Sequence, residues 1–211
     1  MTRVEATIAA LISAALVATV VGCSPVPPAP SASETSGPTP TSTESETPEP
    51  DPVAEPLSIP DCETLLPVAL AKSAFGDSTE FLDETVPTEY YPWYQLPPVI
   101  TAISAVTLAR SCWFGIPNSD GAFSFLVAEI DPATQASIEA ALDAEGFTSV
   151  AMGTVTAREA EREGDFSLEA ETHLFTGTVW ILVDDGTLSV SGIVAGSALD
   201  ALRTANPTLG L

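Results

Sequence analysis

Residues 111–146 read SCWFGIPNSDGAFSFLVAEIDPATQASIEAALDAEG, and this stretch decides the fold. Aromatic and branched residues fill 111–116 and again 122–130. Between them stands Asn118-Ser119-Asp120-Gly121, four residues that favour a tight turn, so the pair reads as a hairpin. Phe123, Phe125 and Val127 alternate onto one face of the returning strand. Asp131 then supplies a carboxylate for the free N–H groups of a helix start, and Pro132 fits the first helical position because its missing N–H is not needed there. Ile138, Ala141 and Leu142 give the helix one apolar stripe, and Gly146 closes it.

The same order is expected once more towards the C-terminus. Residues 178–183 are apolar on both faces, as a central strand requires. Asp184-Asp185-Gly186 predicts a turn, residues 188–194 a returning strand, and Ser197 the cap of a last helix to about Ala205. Two hairpin–helix units, at 111–145 and 178–205, predict an α+β fold: an antiparallel β-sheet with helices packed on it. Around them, a helix is expected after Asp61 with Leu65, Leu66, Ala69 and Leu70 at helical spacing, ending at Gly76. Residues 79–98 read as loop, and 99–110 suit helix or strand. Residues 147–155 read as strand, and Thr156 with Glu159 resembles a capping box for a short charged helix to Glu163. From Phe166 to Phe175 the pattern alternates. Phe166, Leu168, Ala170 and Leu174 fall on one side, and Ser167, Glu169, Glu171 and His173 on the other.

The expected domain occupies residues 59–211. Ahead of it, residues 24–58 hold ten Pro, twelve Ser or Thr, six acids and no base, and no apolar periodicity. Such a segment buries no core and is expected to be a disordered, extended linker. Residues 1–22 read as a signal peptide: Arg3 near the start, then an uncharged apolar run from Ala6 to Val21. That run is shorter than the roughly 20 residues a spanning helix needs.

Val20-Val21-Gly22-Cys23 resembles the lipobox of bacterial lipoproteins. The resemblance implies that Cys23 carries the lipid, palmitate-type acyl chains included, and becomes the mature N-terminus on the extracytoplasmic face of the cell membrane. Pro60-Asp61-Cys62 followed by Leu65-Leu66, with a later Cys112-Trp113, is similar to a group of actinobacterial lipoproteins of unknown function. Those show an Asp-Pro-Cys start and a Cys-x-Trp, whereas here Asp61 directly precedes Cys62 and Trp113 directly follows Cys112. That likeness implies an α+β domain in the cell envelope and brings no activity with it.

With Cys23 lipidated, Cys62 and Cys112 are expected to pair in an oxidising compartment. Two free thiols or a metal site are the alternatives, although a metal needs more ligands and no His lies near either Cys in sequence. The 29 acids against 6 bases, net -23, exclude nucleic acid as a partner by repulsion. The same charge repels anionic lipid, so membrane attachment must be covalent or apolar.

No catalytic set, cofactor motif or metal motif stands out. The lone histidine, His173, lies between acids on the polar face and is expected in solvent. Trp113 and Trp180, inside strands, are expected in the core. The unusual patch is Tyr90-Tyr91-Pro92-Trp93-Tyr94, followed by Gln95-Leu96-Pro97-Pro98. Its rings, Tyr90, Tyr91, Trp93 and Tyr94, are a candidate recognition loop, or else they fold back into the core. The expectation for function is a binding or accessory module held out from the membrane, contacting an envelope protein or a cell-wall component. The alternatives are a small carboxylate-based hydrolase and a carrier of an apolar ligand between sheet and helices.

Overall fold

A computed structural model of the chain describes residues 55–211, apart from Tyr91, Trp93 and 164–167. The expected signal peptide, Cys23 and the linker as far as residue 54 lie outside the described residues. So do Phe166 and Ser167 of the alternating stretch.

Seven strands make one antiparallel sheet: β1 (Glu80–Thr85), β2 (Ala109–Gly115), β3 (Ala122–Glu129), β4 (Thr148–Met152), β5 (Val155–Glu163), β6 (Leu168–Thr176) and β7 (Val179–Asp185). Five helices accompany it: α1 (Cys62–Leu65), α2 (Val68–Phe75), α3 (Pro97–Ala105), α4 (Pro132–Glu145) and α5 (Leu188–Ala205). The α+β architecture expected from the sequence is the one observed. The strand order is β1-β2-β3-β7-β6-β5-β4. Helix α4 carries the chain from β3 to the far edge, and the meander β4 to β7 returns until β7 lies beside β3, from Ser124 opposite Asp184 to Glu129 opposite Val179.

Strand alternation sends β3 and β7 side chains to both faces, and both faces are covered. On the first face Phe123, Phe125, Val127, Ile181 and Val183 pack with Leu65 and Leu66 and with Val194, Ala198 and Leu202 of α5. On the second face Leu126, Ala128, Trp180 and Leu182 pack with Val99, Ala102 and Ile103 of α3 and Ile138 and Leu142 of α4. The central hairpin–helix was read correctly in outline. Asn118 takes the left-handed conformation at φ 61°, Asp131 accepts from the Ala133 and Thr134 N–H groups, and Gly146 ends α4 at φ 92°. Gly115 lets this hairpin close: a Cβ there would lie 2.7 Å from the Gly121 carbonyl oxygen.

Elsewhere the structure corrects the reading. Residues 188–194 are not a strand but the first half of α5, with Thr187 accepting from the Val190 N–H at its start. Asp184-Asp185-Gly186 accordingly is no hairpin turn; the second hairpin is β6–β7, turning at Gly177, and its unit spans 168–205. The two units place α4 and α5 on opposite faces. The expected helix at 156–163 is strand β5, because ladders with β4 and β6 on either side outweigh the helix preference of its Ala, Glu and Arg. Residues 79–98, read as loop, contain β1, a 3₁₀ turn at Pro87–Glu89 and the start of α3. The helix after Asp61 is broken by Pro67 into α1 and α2. Folded structure also begins slightly before residue 59. Leu57 is buried in the first-face core, and Ser58 exchanges two hydrogen bonds with the Asn206 side chain.

Cys62 and Cys112 form a disulfide, with Cα atoms 5.6 Å apart and a sequence separation of 50. It ties α1 to β2 inside the first-face core. Closing a loop of that length contributes about 4 kcal/mol on the chain-entropy account. Reduction, or the double substitution Cys62→Ala with Cys112→Ala, is therefore expected to lower the melting temperature by about 10 °C. Differential scanning calorimetry with and without reductant checks this.

Candidate functional site

Strands β6 and β7 bring a polar cluster into the second-face core. The register sets Glu171 opposite Asp184 and His173 opposite Leu182. Glu171 and His173 have no solvent exposure at all, which corrects the expectation of a solvated histidine. The alternation was read rightly; the face it named as polar is roofed by α3, α4 and the segment after the 3₁₀ turn.

The hydrogen bonds fix the proton positions. Trp180 donates from Nε1 to His173 Nδ1 at 3.2 Å, so the neutral imidazole carries its proton on Nε2. From there it donates to Glu171 Oε1 at 2.6 Å. The Tyr94 backbone N–H donates to Glu171 Oε2 at 3.0 Å, and Asp184 is hydrogen-bonded to the same carboxyl group. Aromatic rings enclose the cluster. Trp180 stacks on His173, Phe147 meets it edge-on, and Tyr94 in turn meets Phe147 edge-on. The guanidinium of Arg162 lies 4.7 Å above the Tyr94 ring and is paired with Glu169 at 2.6 Å. Tyr90 reaches across to the Ser124 carbonyl oxygen at 3.4 Å.

Burial dominates the electrostatics. It pushes the Glu171 carboxyl up to about 8, against the Tyr94 N–H, Asp184 and Arg162, which all favour its charge. It pushes His173 down to about 3, so the ring stays neutral. The Tyr90 phenol is raised well above its usual range by burial and by the nearby acids Asp184 and Glu171. At neutral pH the Glu171 carboxyl is therefore protonated, because burial disfavours its charged form. As it stands the cluster can hold and share a proton, and with Glu171 and His173 sealed from solvent it presents no surface to a substrate.

Of the four rings in the candidate recognition loop, Tyr90 and Tyr94 are core residues at 5% and 8% exposure. Tyr91 and Trp93 lie outside the described residues. Trp180 is in the core as expected. Trp113 is not: it is 45% exposed. Cys112 and Phe114 of β2 face the first core, so alternation turns Trp113 to the second face, beyond the reach of α3 and α4. Along α3 and the start of α4, two open depressions of about 430 and 340 Å³ adjoin, sharing Ala102, Ala105 and Thr134. Both are open, and the first also reaches Glu129, Ile130 and Thr178 at the end of the sheet. Among the described residues no group of three His, Cys, Asp or Glu side chains is placed to hold a metal ion, and no helix is long and apolar enough to cross a membrane.

In comparisons with known proteins, no family model, curated protein or solved structure matches this chain.

The cluster makes stability depend on pH in a definite direction. Glu171 keeps its proton in the native state up to about 8 but loses it near 4.5 when unfolded, so its contribution falls as pH rises between those values. His173 is neutral in the native state down to about 3 but protonates below 6.5 when unfolded, so its contribution grows as pH rises from 3 to 6.5. The two effects oppose each other between 4.5 and 6.5. Above 6.5 only the fall remains, at up to about 1.4 kcal/mol per pH unit, the slope of one proton. Urea unfolding with the disulfide intact is expected to show greatest stability at mildly acidic pH and a decline towards pH 8. Glu171→Gln should flatten that decline. An unchanged slope in the variant assigns the proton to another group.

Proposed function

We propose that this chain is a lipid-anchored, extracytoplasmic binding module that engages a protein or polymer of the cell envelope. The observation that carries the reading is the Cys62–Cys112 disulfide, which agrees with the export signal expected at residues 1–22. A buried disulfide of this kind belongs to an oxidising compartment. The pairing leaves Cys23 as the one remaining cysteine, and it stands in the lipobox-like Val20-Val21-Gly22-Cys23. Two acyl chains suffice for stable anchoring, with about 0.8 kcal/mol from each buried CH₂. Residues 24–54, rich in Pro, Ser and Thr, separate that cysteine from the domain and suit a spacer.

Recognition is favoured over hydrolysis by the state of the cluster that could do acid–base work. Glu171 and His173 are closed over by Tyr94, Phe147 and Trp180 and serve the packing of the second face. Binding then falls to the outer surface.

Expressed in a bacterium with its own lipoprotein pathway, the chain is expected to incorporate labelled palmitate and to partition into the membrane fraction. Cys23→Ala should abolish both. Equal labelling of the variant removes the lipid anchor from the reading. Affinity capture from solubilised envelopes with the full chain as bait tests the binding role, and recovery of no envelope protein or polymer above a bait-free control counts against it.

A further inference from the structure

We infer that the exposed face of β1 and β2 around Trp113 is the docking surface for a basic, Lys- or Arg-bearing segment of a partner protein. The inference rests on the reading of the chain as a binding module and names the surface and the chemistry of its partner.

Two large apolar side chains are exposed here: Trp113 at 45% and Leu82 at 41%. Asp83 pairs with Trp113 across the ladder, and Leu82 occupies the irregularity between Phe81 and Asp83. The surroundings of Trp113 are low. Its same-face neighbours along β2 are Ser111 and Gly115, and across on β3 it faces Ser124. Gly115 cannot grow a side chain, since a Cβ would meet the Gly121 oxygen at 2.7 Å and the Ala122 Cβ at 2.8 Å. The indole therefore stands over small residues, with carboxylates beside it. Asp83 lies directly opposite it, and Glu80 lies opposite Gly115. Arg110, the one base in β1 and β2, is committed to Glu84.

An exposed tryptophan flanked by carboxylates is a cation site in chemical terms. The ring face attracts a guanidinium or ammonium, and the acids neutralise it. Charge also excludes other occupants. A second copy brings another net charge of -23, and the chain's own residues 24–58 hold six acids and no base. The irregular register at Phe81 and Asp83 bends the edge away from simple strand addition, so contact is made by side chains. Basic residues of the partner meet Trp113, Asp83 and Glu80, and their apolar neighbours cover Leu82.

The test is fluorescence anisotropy of a labelled peptide of four Lys-Val repeats titrated with the full chain. Binding is expected, with Trp113→Ala weakening it at least fivefold and Trp113→Phe restoring most of the loss. Trp113 is exposed, so both variants should melt like the parent, which thermal scans verify. Glu80→Gln with Asp83→Asn should weaken binding at least fivefold, while Glu139→Gln with Glu145→Gln, the same charge change on α4, should leave it nearly unaltered. Equal loss from both pairs with no effect of Trp113→Ala means diffuse attraction to an acidic surface and overturns the inference. So does an inert peptide, including the case in which a neutral N-acetylglucosamine hexamer quenches the tryptophan instead. Capture of an envelope partner that is indifferent to Trp113→Ala would leave the binding-module reading standing and retire this surface.

Discussion

The constraint on which the rest of the structure depends is that β3 and β7 bury both of their faces. Leu126, Val127, Ile181 and Leu182 alternate across the junction of the two meanders, and none of them reaches solvent. An apolar strand of that kind needs a helix layer on each side. The chain meets the need with helices of different origin. The long α5 and the short α1 and α2 cover the first face; α3 and α4 cover the second. This is why two hairpin–helix units close in sequence order do not repeat in space. Were α4 and α5 on the same face, the other side of β3 and β7 would stand open to water.

The layers differ in how they are held. On the first face a covalent link joins α1 to β2, and the segment before α1 is pinned to the end of α5 through Ser58 and Asn206. Both contacts join parts of the chain distant in sequence, and so does Ser197 donating to the Leu65 carbonyl. The second face has no disulfide among the described residues. There α3 and α4 meet the sheet through apolar packing, and the polar cluster under Tyr94 supplies the directional contacts. The outer flank of that face, over β1 and β2, is left without a helix, and Trp113 is exposed in consequence.

What could be read from the sequence divides along the range of the signals. The central hairpin and α4 were legible because each signal is local: Asn118 and Gly121 for the turn, Asp131 and Pro132 for the helix start, Gly146 for its end. The disulfide was legible from the cysteine count and the export signature. Strand β5 was not, because Ala157, Arg158, Glu159 and Ala160 favour helix and only their partners on β4 and β6 make them a strand. Helix α5 was misread at its start, where Val190, Gly192 and Val194 argue for strand. Its buried set of Val190, Val194, Ala198 and Leu202 shows the four-residue spacing that decides for helix. His173 and Trp113 failed in opposite ways for one reason. Alternation tells which side of a sheet a residue faces, but whether a helix covers that side at that point is settled by α3 and α4, far away in sequence.

The buried Glu171 follows from a backbone need. Tyr90 and Tyr94, between the 3₁₀ turn and α3, are buried against the second face, and neither belongs to a strand. A buried backbone N–H without an acceptor costs about 1–3 kcal/mol, and Tyr94 lies in no strand whose ladder would supply one. Glu171 is that acceptor, rising from β6 to the exact place a ladder cannot reach. Once a carboxyl group is there, burial requires it to be neutral or fully compensated. His173 and Trp180 give it one donor chain, and Asp184 across the strand pair is hydrogen-bonded to it. An apolar residue at position 171 would remove the cost of burying an acid, but it would leave the Tyr94 N–H unpaired and Asp184 buried without its neighbour. The protonated carboxyl is thus the form in which a sheet face can be both core and anchor for an irregular segment.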